Sequence, residues 1–161
     1  MDKFFGFCAC VFFLLYSVAS AEGELDRGLV AFQRGEFVVA FNEWEPLSDG
    51  GDLIAMANLG VLYMEGLGVI QDHSKAVDLL KKSAKQGLPL AQFNLALMFE
   101  KGRGMLQDRI RAHMWYNIAA SKGHPESLTS RDNVARYMSG SAVEKAQKMA
   151  SECLEKNYVD C

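Results

Sequence analysis

The feature that most constrains the fold is a repeat of 36 residues in the middle of the chain. Residues 55–87 and 91–123 align without a gap. The matching positions are Ala55 with Ala91, Asn58 with Asn94, Tyr63 with Phe99, Gly66 with Gly102, Gly68 with Gly104, Ala76 with Ala112, Ala84 with Ala120, and Gly87 with Gly123. Self-similarity with a period of roughly 20–50 residues is typical of stacked repeat units. The chain is therefore predicted to be a repeat protein.

Each full copy is predicted to contain two helices. In the copy at residues 53–87, the first helix spans Leu53–Glu65 and ends at Gly66. Asp72 is a candidate N-cap of the second helix, since its carboxylate can accept hydrogen bonds from free backbone N–H groups. The copy at residues 89–123 repeats this pattern. One helix pair cannot bury its apolar stripe alone, so neighbouring copies are predicted to stack.

Shorter or less regular segments flank the two full copies. A first copy at residues 25–51 is predicted as helices at Glu22–Phe32 and Phe37–Leu47 joined by a tight turn. After Gly123 the period fades, and residues 124–157 are predicted as capping helices, the first of them from His124 to about Met138. The last of these, Ala142–Glu155, would begin at the capping box Ser141-x-x-Glu144. Such an end, with a polar outer face, keeps a stack of repeats soluble.

The N-terminal residues resemble a targeting segment rather than part of the fold. Residues Phe4–Val18 are almost wholly apolar and are followed by Ala19-Ser20-Ala21. This is the pattern of a secretory signal peptide. The run is shorter than the roughly 20 apolar residues of a membrane span. We predict a signal peptide at residues 1–21 and a domain at 22–161 that is exported to the periplasm or secreted; an uncleaved membrane anchor is the alternative.

Charge and motif content argue against several classes of function. The net charge of −3, without a stripe of Lys and Arg, argues against nucleic-acid and anionic-lipid binding. We expect no stable membrane insertion once the signal is cleaved. There is no Ser-x-x-Lys or Gly-x-Ser-x-Gly motif of an acyl-transfer enzyme. His73, His113 and His124 lack metal-ligand spacing, and His113 is expected to be exposed or hydrogen-bonded. We predict no catalytic residue, metal or cofactor.

The glycine pairs do not indicate a phosphate site. A phosphate-binding glycine loop follows a strand and opens a helix. Gly66-x-Gly68 and Gly102-x-Gly104 instead follow predicted helices and recur at the repeat period. They are therefore predicted to be turns.

Cys153 and Cys161 are the two cysteines that remain after signal cleavage. An even pair in an exported protein suggests a disulfide. In one continuous helix they would lie about 12 Å apart along the axis, whereas a disulfide needs Cα atoms within roughly 7 Å. A bond therefore requires the chain to turn back after Lys156-Asn157. The alternative is a buried Cys153 and a free C-terminal thiol.

The third copy resembles the Sel-1-like repeat, a relative of the tetratricopeptide repeat. The residues that carry the resemblance are Ala91-Gln92-x-x-Leu95-Ala96-x-Met98-Phe99-x-x-Gly102-x-Gly104, followed by Asp108-x-x-x-Ala112-x-x-Trp115-Tyr116-x-x-Ala119-Ala120-x-x-Gly123. The resemblance implies an all-α fold, an α-solenoid of antiparallel helix pairs. It also implies a non-catalytic scaffold that binds a protein or peptide, of the exported bacterial type.

Two other functions of the same family stay open. One is an envelope ligand binder for peptidoglycan-like or β-lactam-like compounds. Relatives linked to such ligands place a cysteine pair in each repeat, and no cysteine lies within residues 53–123 here. The other is a secreted effector that binds a host protein.

The resemblance also places a candidate binding groove, because the first helices of the pairs line the concave side of such solenoids. The residues predicted to face this groove are Ala57, Asn58, Val61, Met64, Phe93, Asn94 and Leu97. An Asn side chain offers both a donor and an acceptor to the backbone of an extended peptide. The alternative is that the apolar residues pack against the next repeat and that Asn58 and Asn94 bond locally.

Overall fold

A computed structural model describes residues 23, 25–159 and 161 of the chain. The predicted signal peptide lies outside these residues, so its cleavage and the export of the protein stay predictions. None of the described helices is both long and apolar enough to cross a bilayer.

The described residues form helices and no strand, which confirms the predicted all-α class. Helix α1 covers residues 25–33. The others are α2 (Phe37–Asp49), α3 (Leu53–Glu65), α4 (His73–Ala84), α5 (Pro89–Lys101), α6 (Arg109–Ser121), α7 (Ser127–Ala135) and α8 (Gly140–Glu155). Consecutive helices from α2 to α7 pack against each other, α3 also contacts α5, and α8 packs on α6. This is the predicted α-solenoid of stacked helix pairs.

The core consists of two clusters that meet at α3. The smaller cluster surrounds Trp44 and includes Leu59 and Leu62, whereas the larger one surrounds Trp115 and Tyr116. Ala57 and Met64 of α3 belong to the larger cluster. Different faces of α3 therefore take part in the two clusters, and α3 joins the N-terminal helices to the rest of the solenoid.

Side-chain caps define the helix starts. Asp72 accepts a hydrogen bond from Lys75 N at 3.0 Å, as predicted, and Asp108 accepts the equivalent bond from Arg111 N at 2.9 Å. The predicted capping box of the last helix is wrong. Ser139, with an extended backbone, accepts from Ala142 N at 3.2 Å, and α8 begins at Gly140. Ser141 is already inside the helix, so it cannot serve as the cap.

Two other predicted boundaries also differ from the structure. Helix α2 continues past Leu47 to Asp49, with Pro46 inside it. The helix predicted over residues 124–138 is shorter, Ser127–Ala135. A turn precedes it, in which His124 N donates to Ala119 O at 3.0 Å. That bond closes the end of α6 instead of opening a new helix.

The glycine pairs are turns, as predicted, and the second glycine of each also sets a contact between units. Gly66 and Gly102 end α3 and α5 in the left-handed conformation, with φ of 69° and 66°. A Cβ on Gly68 would lie 2.6 Å from the carbonyl carbon of Phe37, and one on Gly104 would lie 2.6 Å from the carbonyl oxygen of His73. Phe37 and His73 are the first residues of α2 and α4. Each second glycine therefore packs against the start of the preceding unit's second helix.

The C-terminal residues turn back over the solenoid. Asn157 and Tyr158 have positive φ angles of 49° and 66°, and Tyr158 N donates to Cys153 O at 2.8 Å. This turn brings Cys153 and Cys161 to disulfide distance, with their Cα atoms 5.6 Å apart. The predicted reversal after Asn157 is thus present. The covalent bond between the two sulfur atoms stays a prediction, which mass measurement tests.

Candidate partner-binding groove

The predicted groove follows α3 and α5, which lie side by side. Three of its seven predicted residues are buried: Ala57 is 0% exposed, Met64 3% and Asn94 7%. Placing these three in the groove was therefore wrong. Ala57 and Met64 are on α3 and belong to the larger core cluster. Asn94 is on α5, which contacts α3, α4 and α6.

The remaining four predicted residues are partly exposed. They are Asn58 and Val61 on α3 and Phe93 and Leu97 on α5. Two residues that were not predicted extend this surface, namely Ile54, which is exposed, and its repeat equivalent Leu90, which is partly exposed. Ile54, Asn58 and Val61 follow the spacing of one helix face. That spacing is the sequence signal that would have identified Ile54.

Phe93 is held in place by α6 of its own unit and by the turn that follows α6. Its ring stacks on His124 with centroids 4.3 Å apart and an angle of 17°, and its centroid lies 5.4 Å from that of Tyr116. Both contacts lie within the repeat of residues 89–124 rather than with the next repeat, and they account for part of the Phe93 surface. The ring still borders solvent, so a ligand would meet it in a fixed orientation.

Paired charges lie at the C-terminal ends of α3 and α5. Arg103 Nη1 lies 2.9 Å from Glu65 Oε1, and Lys101 Nζ lies 2.8 Å from Glu100 Oε1. Tyr116 donates its hydroxyl hydrogen bond to Glu100 Oε2 at 2.8 Å. Burial, followed by that bond to Glu100, raises the pKa of Tyr116 well above its ordinary value. The hydroxyl therefore stays protonated and holds the carboxylate in position.

His113 does not lie where the sequence predicted. It is 2% exposed, and its Nδ1 has no hydrogen-bond partner among the described residues. The expectation of an exposed or hydrogen-bonded histidine is wrong because α6 packs against α5, α7 and α8, which leaves little of its circumference open. Burial, with a further contribution from Arg131, lowers the pKa of His113.

His124, which stacks on Phe93, does have a hydrogen-bond partner. Its Nδ1 lies 3.0 Å from Ser127 Oγ, and burial lowers its pKa. A neutral imidazole therefore stacks on Phe93 near pH 7. Within the part of the chain that the structure describes, no group of three or more His, Cys, Asp or Glu side chains is arranged to hold a metal ion.

Comparison with known families agrees with the repeat and its geometry. The family described as Sel1 repeat matches residues 53–88 and 89–124, which contain the pairs α3–α4 and α5–α6. The chain contains two Sel1 repeats. Proteins of this family are generally scaffolds for protein interaction and are typically non-catalytic. No curated protein matches this Sel1 repeat protein significantly.

Two solved structures share the fold of this Sel1 repeat protein. One is c5321, a protective antigen present in uropathogenic Escherichia coli strains, which displays an SLR fold. It has a TM-score of 0.78 and 22% identity over 86% of this chain and 31% of its own. The other is a Sel1 repeat protein from Oxalobacter formigenes, with a TM-score of 0.64 and 25% identity over 80% of this chain and 55% of its own. The match thus spans about a third and about half of those longer chains. These likenesses confirm the α-solenoid.

Proposed function

We propose that this Sel1 repeat protein is a non-catalytic scaffold that binds an extended peptide segment of a protein partner along α3 and α5. The observation that carries the proposal is the partial exposure of Asn58, Val61, Phe93 and Leu97 on α3 and α5, two helices that contact each other. Membership of a family that generally serves protein interaction supports it.

The chemistry of this surface suits a peptide backbone with apolar side chains. The Asn58 amide offers one donor group and one acceptor group beside an apolar floor. Val61 and Leu97 occupy repeat-equivalent positions, so they present two apolar contacts at successive units. Phe93 is already oriented by His124. A partner would therefore order few side chains of the scaffold on binding, which limits the entropic cost.

We further propose that the scaffold works in the periplasm or the secreted space. The apolar run Phe4–Val18 and the Ala19-Ser20-Ala21 site support export. The envelope-ligand alternative gains no support from the repeats, because residues 53–124 contain no cysteine. Fractionation of expressing cells into periplasm, membrane and medium, with N-terminal sequencing of the product, tests both export and cleavage. Recovery of chains that begin at Met1 would contradict cleavage.

The binding test uses substitutions at the partly exposed positions. Partners are captured by cross-linking in the compartment where the protein is found, and their affinity is then measured with purified components. Val61→Glu places a charge on the apolar floor and should weaken binding by about tenfold or more. Asn58→Ala should cost less, on the order of 1 kcal/mol.

Lys82→Glu is the control, since Lys82 is exposed on α4 outside the groove. Circular dichroism verifies that each variant keeps its helical content. Unchanged affinity of both groove variants for every captured partner would refute the proposed groove.

A further inference from the structure

A second concave site lies on the opposite side of α5 from the groove. It is a cavity of about 430 Å³ between α4, α6 and the loop that precedes α6. Leu95 and Phe99 of α5 line it. Leu95 follows Phe93 by two residues, and Phe99 follows Leu97 by two residues. Two residues correspond to a rotation of about 200° around a helix, so the cavity and the groove lie on opposite sides of α5. Its other lining residues are Lys81, Lys85, Met105, Leu106, Arg111, Trp115 and Cys161. We call it the basic cavity.

The floor of the basic cavity is apolar. Phe99 and Trp115 are core side chains that border open space here. Leu106 stands at the rim and is 91% exposed. Small-molecule and side-chain sites are typically clefts of about 300–1,000 Å³ lined mainly by apolar groups with a few polar ones. The basic cavity falls within that range and is large enough for one large apolar side chain with its neighbours.

The rim of the basic cavity is positively charged. Lys81 on α4 and Lys85, the C-cap of α4, lie one turn apart, and neither side chain makes an ion pair or hydrogen bond with a described residue. Arg111 on α6 is held by Asp108 at 3.1 Å and lies 5.8 Å from the centroid of the Phe99 ring. The residues that line the cavity include no Asp or Glu. Two ammonium groups are therefore available to an anionic ligand.

The stacking of repeats does not require this charge. The helix stripes align at Ala40, Ala76 and Ala112, which defines the equivalent positions in each pair. The equivalents of Lys81 and Lys85 are Glu45 and Asp49 in α2 and Asn117 and Ser121 in α6. Among these three helices the lysine pair thus occurs only at α4, and it is a property of this site rather than of the repeat.

We propose that the basic cavity binds an acidic peptide segment of a protein partner that carries one large apolar side chain. The apolar side chain would pack on Phe99 and Trp115, and carboxylates on either side of it would pair with Lys81 and Lys85. Two cations one helical turn apart, about 5–6 Å, match two anionic groups of one ligand. The exposed Leu106 adds an apolar contact beyond the reach of a small anion. This inference rests on the proposed scaffold function for the protein nature of its ligand, but it uses a different face of the solenoid.

The test measures fluorescence anisotropy with a labelled peptide of sequence Glu-Asp-Phe-Glu-Asp. The purified protein is used as expressing cells produce it. The double variant Lys81→Glu with Lys85→Glu should raise the dissociation constant by about tenfold or more, because attraction becomes repulsion. A matched control, Lys82→Glu with Lys122→Glu, makes the same change in net charge at exposed positions outside the cavity. It should change the constant by less than about threefold.

A second pair of variants separates apolar contact from charge. Leu106→Ser should weaken binding several-fold. Its repeat equivalent Ile70, which is 92% exposed and lies outside the cavity lining, provides the control Ile70→Ser, which should have no effect. A peptide in which Ala replaces Phe should bind more weakly than the original. Equal losses in the cavity variants and their controls, or no binding of the peptide, would overturn the proposal.

Two further measurements identify the chemical class of the ligand and the face of the protein that binds it. Competition by decanoate or inorganic phosphate at the potency of the peptide would show a site for free anions and overturn the proposal. Val61→Glu, in the groove, should leave binding of this peptide unchanged. If Val61→Glu abolished binding and the lysine variants did not, the peptide would occupy the groove. The basic cavity would then be refuted while the proposed scaffold function stood.

Discussion

The ring of Tyr158 lies against Gly87, so that a Cβ built on Gly87 would be 3.3 Å from Tyr158 Cε2. Gly87 belongs to the turn between α4 and α5, and Tyr158 to the turn that follows α8. The contact fastens the C-terminal turn onto the repeats. It also holds Cys161 at the wall of the basic cavity.

The first prediction concerns the bond that closes this turn. Reduction should raise the intact mass by about 2 Da, the mass of two hydrogen atoms. Cys161→Ser should lower the free energy of unfolding by about 2–3 kcal/mol, because a short closed loop no longer restricts the unfolded chain. Urea denaturation measures this loss, and Ser151→Ala on the exposed side of α8 is the control. An unchanged mass after reduction would show that Cys153 and Cys161 are not bonded.

The second prediction compares two glycines with similar backbone angles. Gly104 has φ of 71° and packs against His73, whereas Gly123 has φ of 86° and no other atom within 4 Å of an added Cβ. Gly123→Ala should cost about 1 kcal/mol through left-handed strain alone. Gly104→Ala should cost about 1–3 kcal/mol more, since the units must also move apart. Equal losses in urea denaturation would show that Gly104 does not set the spacing between units.

The third prediction follows from the buried His113. Its pKa in the folded protein is lowered from the ordinary 6.5 by burial and by Arg131. The unfolded chain therefore binds a proton first as the pH falls. Neutral His113 is compatible with the fold above the ordinary pKa, and stability is lost as the pH drops below it toward the lowered value. The free energy of unfolding should fall between about pH 7 and pH 5, with His124 contributing in the same direction.

His113→Gln should flatten that pH dependence, since glutamine does not titrate. Chemical denaturation at a series of pH values measures the slope. The double variant with His124→Gln should flatten it further. A slope that stays the same in His113→Gln would exclude His113 as its source.

The fourth prediction concerns the hydrogen bond between Tyr116 and Glu100. Tyr116→Phe leaves the Glu100 carboxylate without its buried donor and should cost about 1.5–3 kcal/mol. Tyr63→Phe is the control, because Tyr63 is a partly buried tyrosine whose hydroxyl makes no hydrogen bond with a described residue. A double-mutant cycle with Glu100→Gln gives the coupling between the two side chains. Additive losses would mean that the bond contributes nothing to stability.

Local spacing explains what the sequence could predict. The stacked helix pairs, the glycine turns and the Asp72 cap each depend on residues within one repeat period. Burial within the groove depends on distant neighbours instead. Asn58 and Asn94 are repeat equivalents, yet Asn58 is partly exposed whereas Asn94 is only 7% exposed. The repeat pattern alone could not distinguish these two positions.

The basic cavity illustrates the same limit. Lys81 and Cys161 are 80 residues apart and meet only because the C-terminal turn folds back. By their spacing alone, the lysines of α4 lie outside its apolar stripe and predict only a solvated helix face. Their neighbours in space, Trp115 and Leu106, come from the next unit. A site built between units leaves no contiguous motif.

The contacts of Gly68 and Gly104 have a consequence for how such proteins grow. Each places the backbone of one unit against the first residue of a helix in the unit before it. The two contacts are the same contact displaced by one repeat of 36 residues. The contact that sets the distance between neighbouring units is therefore encoded within each unit. It is made by main-chain atoms, which are the same whatever the neighbouring side chains are. A tandem duplication of residues 53–88 would carry its own copy of this glycine contact and would dock without redesign of its neighbours. Lengthening by whole units is thus open to evolution and to protein engineering, while the surface of each added unit remains free to diverge.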